Sequence, residues 1–114
     1  MRRNLKEAEI TRQIKDILNI PARTGRLWYF KVAGGPYQRP GIPDIVGCYE
    51  GRFFAIEVKR IGGRLTDKQK KELLRIERAG GVAMVAYDAA EVVKQLGLGY
   101  EVAPLFEQEG RNAK

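Results

Sequence analysis

Between residues 5 and 18 the apolar positions Ile10, Ile14, Ile17 and Leu18 recur at steps of three and four, the spacing of a helix with one buried face. Pro21 is expected to close it, because proline breaks the helical hydrogen-bond ladder. Residues 27–32 alternate like a strand until Gly34-Gly35-Pro36 interrupts the pattern and opens a flexible loop. Two further strands, 44–49 and 52–59, flank Glu50-Gly51, a two-residue turn in which the glycine permits positive φ. Thr66 is a suitable N-cap for a helix with Asp67 in its first turn and Leu73, Leu74 and Ile76 along its apolar stripe, as far as Gly80-Gly81. Residues 82–87 form a nearly continuous apolar run, as expected for an interior strand covered on both faces. Asp88 then caps a short helix carrying Val92, Val93 and Leu96, ended by Gly97 or Gly99. Beyond Tyr100 the chain turns polar and acidic and is expected to fray.

The order helix, three strands, helix, strand, helix predicts an α/β domain with one mixed central sheet flanked by helices. A chain of 114 residues accommodates one core of this kind, so residues 1–100 are expected to form the folded domain and 101–114 a polar tail. No apolar stretch approaches the roughly 20 residues needed to cross a bilayer, and no signal peptide precedes the first helix, so a cytoplasmic protein is expected. The single cysteine, Cys48, lies in an apolar run and reads as a small buried hydrophobe.

Charge narrows the partners. An excess of 21 Lys and Arg over 14 Asp and Glu gives a net charge of +7, which favours polyanions. Histidine is absent, which excludes Ser-His-Asp hydrolysis, histidine-dependent nucleases and His/Cys zinc sites. Any hydrolytic chemistry must therefore rest on carboxylates, lysine and a hard metal ion.

One segment supplies such groups. Gly41-Ile42-Pro43-Asp44 is followed twelve residues later by Ile56-Glu57-Val58-Lys59. If both lie on hairpin strands, antiparallel pairing brings Asp44 and Glu57 to one end of the sheet. Alternation puts Glu57 and Lys59 on one face, while Val58 points to the other and still offers its carbonyl oxygen. Asp44, Glu57 and the Val58 carbonyl suit a hard divalent ion such as Mg²⁺ or Mn²⁺, and the ion and Lys59 would offset the repulsion between the two acids. Metal-assisted phosphodiester hydrolysis follows in outline, with Lys59 orienting water or neutralising developing charge.

Pro-Asp, a spacer and Glu-X-Lys on a hairpin resemble the signature of the PD-(D/E)XK nuclease superfamily, and more narrowly the VRR-NUC family, from the first helix to about Leu96. The resemblance implies a restriction-endonuclease-like fold whose metal site is completed by an acid on the first helix and faced by a glutamine on the helix after the Glu-X-Lys strand. The matching positions are Glu7 and Gln69. Glu7 shares the inward side of its helix with Ile10 and Ile14, and Glu9 is kept in reserve. The stand-alone members of the family are small phage and bacterial proteins, which implies a homodimer acting on branched or Holliday-junction-like DNA.

Other residues carry weaker signals. Tyr37, Gln38 and Arg39 on the loop before the Asp44 strand are placed to grip phosphates or stack on a base, and Lys68, Lys70 and Lys71 offer a basic helix surface; Arg39 and Lys68 are the candidate nucleic-acid contacts. Trp28, Tyr29 and Phe30 read as core or dimer-interface residues. The rival readings are a non-catalytic DNA-binding module that has kept the nuclease fold, and an enzyme acting on RNA.

Overall fold

Helix α1 (Glu7–Arg23) turns Ile10, Ile14, Ile17, Leu18 and Pro21 inward, so the stripe legible in the sequence is the buried one. This computed structural model describes residues 5–99 and residue 102. Pro21 does not end α1 but sits in its last turn. Its own carbonyl accepts hydrogen bonds from Thr24 Oγ1 at 3.0 Å and Arg26 N at 3.1 Å, which satisfy the helix end beyond the ring.

Strand β1 (Leu27–Lys31), β2 (Ile45–Tyr49) and β3 (Arg52–Val58) form an antiparallel meander. The chain then crosses through α2 (Asp67–Arg78) to β4 (Val82–Ala86), which pairs parallel with β3. The strand order is β1-β2-β3-β4, a mixed four-stranded sheet. The β2–β3 turn takes positive φ at both central residues, 49° at Glu50 and 85° at Gly51, the combination that matches the twist of a two-residue hairpin.

β4 therefore lies at an edge of the sheet, not in its interior. Its continuous apolar sequence reflects cover on both faces, α2 packing on one and α3 (Ala89–Leu96) on the other. α3 is capped by Asp88, whose side chain accepts from Glu91 N, and it stops at Gly97 in the left-handed conformation. α1 and α3 pack together over one sheet face, where Ile45, Phe54, Ile56 and Val58 meet Ile10 and Ile14 in the core. Val102 is buried in the same core; the rest of the expected 101–114 tail lies outside the described residues.

On the opposite face α2 covers β4 and β3 but not β1 and β2. Trp28 and Phe30, 65% and 50% exposed, stack there in parallel, and Phe53 is also exposed. Cys48 is exposed rather than buried, because β2 turns Ile45 and Gly47 towards the core and alternation sends Cys48 outwards between Trp28 and Phe53. Tyr29 points the other way and donates its hydroxyl to Asn19 Oδ1. Among the described residues no helix is long and apolar enough to cross a membrane.

Candidate active site

The hairpin register aligns Ile45 with Ile56, so Asp44, one residue before β2, stands opposite Glu57 at the same end of the sheet. Asp44 is held from two sides: its carbonyl accepts from Val32 N and its Oδ2 from Val58 N, both at 2.8 Å. In a strand the N–H and C=O of one residue point to the same edge, so the Val58 carbonyl also faces the Asp44 side while its side chain stays in the core.

Glu57 is 3% exposed. Its Oε2 accepts from Gln69 Nε2 at 3.3 Å and lies 4.0 Å from Lys59 Nζ, whereas buried Oε1 has no hydrogen-bond partner. Burial is the largest of the effects that push its carboxyl up to about 8; the charge of Asp44 and the chance to share a proton with it add to the rise, Glu7 adds slightly, and Lys59 opposes them. A carboxylate in this position is therefore uncomfortable without either a proton, which it can share with Asp44, or a cation.

Glu7 on α1 reaches the site by its charge, as the last of the effects that raise Glu57. Glu7 does not complete a cage, for among the described residues no group of three or more His, Cys, Asp or Glu is placed to hold a metal. The convergent acids are thus Asp44 and Glu57, with Lys59 and Gln69 beside them.

Gln69 is the third residue of α2 and belongs to a capping box: Thr66 Oγ1 accepts from Gln69 N at 3.1 Å, and Gln69 Oε1 accepts from Thr66 N at 2.9 Å. Thr-Asp-Lys-Gln is a capping-box signature, so this partnership was readable in the sequence beyond the N-cap itself.

Arg39 is not waiting free on a loose loop. Its Nη2 lies 3.0 Å from Oε1 of Glu72, a buried acid on α2 whose other oxygen lies 3.6 Å from Arg75 Nη1. No local pattern announces a bond spanning 33 residues. The same loop touches α2 again at Gly41, where φ is +89° and an added Cβ would stand 2.5 Å from the Lys68 carbonyl oxygen. Lys68 is exposed on that first turn, and Tyr37 is fully exposed. A cleft of about 630 Å³ between α1 and the start of α3, lined by Arg12, Asp16, Arg23 and Asp88, contains none of these residues.

The family model described as VRR-NUC domain matches residues 6–90. A solved structure described as a VRR_NUC domain superposes with a TM-score of 0.63 at 20% identity, covering 77% of this chain and 90% of its own, and so shares the fold. The Holliday junction resolvase Hjc of Archaeoglobus fulgidus is 29% identical over 67% of this chain and 65% of its own, with a TM-score of 0.46. No curated protein matches the sequence.

Proposed function

The chain belongs to the VRR-NUC domain family, and from that premise we propose that it is a divalent-cation-dependent nuclease that hydrolyses phosphodiester bonds in DNA. The observation that carries this reading is the buried, unpartnered Oε1 of Glu57, on a carboxyl that feels the charge of Asp44. Native proteins rarely bury a polar atom without a partner, and a carboxylate oxygen in that state marks a place built for a positive charge.

The donor set fits a hard cation, since Asp44, Glu57 and the Val58 carbonyl are all oxygen donors, with Glu7 supplying further negative charge from α1. Mg²⁺ or Mn²⁺ bound there would polarise a phosphate oxygen and favour ionisation of water. Asp44 and Glu57 would hold the ion, whose charge would take the place of the proton on Glu57. Gln69 holds Oε2 of Glu57, and Oε1 is left without a hydrogen-bond partner. The Lys59 ammonium, held near Glu57, offsets charge on the phosphate as the water oxygen bonds to phosphorus and the leaving oxygen departs.

A net charge of +7 supports a polyanionic substrate. Branched or Holliday-junction-like DNA cut by a homodimer is the form of the reaction we favour, in the cytoplasm of a bacterium or phage-infected cell. The uncovered face bearing Trp28, Phe30 and Phe53 supports the dimer, because exposed apolar patches of this kind commonly mark protein interfaces. A two-fold pair of sites would cut two strands of a symmetric junction.

The test is incubation with single-stranded, duplex, flap and four-way-junction DNA, and matched RNA, with Mn²⁺ or with chelator. Metal-dependent cleavage of DNA that Asp44→Ala abolishes, with DNA binding retained, is the expected result. Binding without cleavage by the wild type would establish the non-catalytic module instead.

A further inference from the structure

The Gln69 carboxamide is engaged at both ends. Its oxygen accepts from the Thr66 backbone N–H and its nitrogen donates to Glu57 Oε2. A capping box needs only an acceptor at this position, and glutamate serves as well as glutamine. Glutamine alone fills the box and still has a donor to spend on a neighbouring carboxylate. Glutamate would instead set a third negative charge against Glu57 and Asp44.

The box also decides which way the amide faces. Because the Thr66 N–H can only donate, it takes the oxygen and leaves the nitrogen turned to Glu57. The same helical turn is fixed from outside, where Gly41, on the loop leading into Asp44, packs against the Lys68 carbonyl with no room for a side chain. The helix start and the strand carrying Asp44 are thus held in one register about Glu57.

We propose that Thr66 is a positioning residue of the active site: its reciprocal capping box with Gln69 orients the carboxamide that holds Oε2 of Glu57, so that the other oxygen stays available beside Asp44. The kinetic consequence rests on the nuclease reading above, and the orientation of the amide does not.

Three variants separate this role from simple helix capping. Thr66→Ala removes the hydroxyl half of the box, which seats Gln69 N in the first turn, while the residue-66 N–H remains; Thr66→Ser restores the hydroxyl, and Gln69→Glu keeps both halves of the box but lacks the donor. In isotope-labelled, metal-free protein the Gln69 Nε2 protons should show slowed solvent exchange, measurably faster in Thr66→Ala, where the first turn is no longer seated by the hydroxyl, and slowed again in Thr66→Ser. In cleavage assays run well below each Tm, Thr66→Ala should lower kcat by roughly 10- to 100-fold with little change in KM for DNA, the effect of a slightly misplaced group. Gln69→Glu should keep the helix cap, lower Tm through the added negative charge, and lose kcat comparably at temperatures where it is folded. Wild-type Nε2 exchange and kcat in folded Thr66→Ala, or full kcat in Gln69→Glu, would overturn the proposal. If the wild type cleaves nothing, the nuclease reading fails and the exchange measurement alone decides whether Thr66 orients the amide.

Discussion

Replacing Glu57 by glutamine should stabilise the metal-free protein, and increasingly so as pH rises. The folded state holds this carboxyl at about 8, against an ordinary value of 4.5, chiefly because it is buried. Between those values the folded protein binds a proton that the unfolded chain has released, so this group's contribution to stability falls as pH rises through the window. The whole shift corresponds to on the order of 5 kcal/mol as a ceiling, of which about 3 kcal/mol is lost between about pH 5 and pH 8. Glutamine has nearly the same shape and never ionises; its oxygen can accept from Gln69 and its nitrogen can donate to Asp44. Urea unfolding of both proteins in chelator should give similar stabilities at the lower pH and a gap of about 3 kcal/mol in favour of Glu57→Gln at the higher one. Adding Mn²⁺ should restore the wild type and leave the variant unchanged. Parallel pH profiles in chelator would refute the claim that a buried, repelled charge sits at residue 57.

Further outcomes follow from the same geometry. If, as proposed, an ion takes the place of the Glu57 proton, Mn²⁺ affinity measured by calorimetry should rise nearly tenfold per pH unit up to about 8, with close to one proton released per ion; a flat profile would mean the ion binds elsewhere. Trp28→Glu places a charge on the exposed apolar face and should weaken dimerisation by about 2 kcal/mol or more, roughly thirtyfold in Kd, as read by sedimentation equilibrium. A dimer unchanged by it would exclude this face as the interface. Gly41→Ala meets both a left-handed φ and the Lys68 carbonyl, so thermal unfolding should show a loss of about 2 kcal/mol, with cleavage reduced beyond what the unfolded fraction explains.

Local pattern determined much of the fold and the placement of the two acids. A two-residue turn at Glu50-Gly51 pairs Tyr49 with Arg52 and, counting outwards, Ile45 with Ile56, so the meeting of Asp44 and Glu57 follows from turn type and alternation alone. The apolar stripe of α1, the Thr66 and Asp88 caps and the stop at Gly97 depend on neighbours within one or two turns, and were legible for that reason. Tertiary structure decided what depends on distant partners. It set β4 at the sheet edge, carried α1 through Pro21, exposed Cys48, drew Arg39 to Glu72 and brought the charge of Glu7 to bear on Glu57. Strand order and helix cover depend on which faces are buried against one another, and the energy of a buried charge depends on everything packed around it; neither is a property of any short stretch of chain.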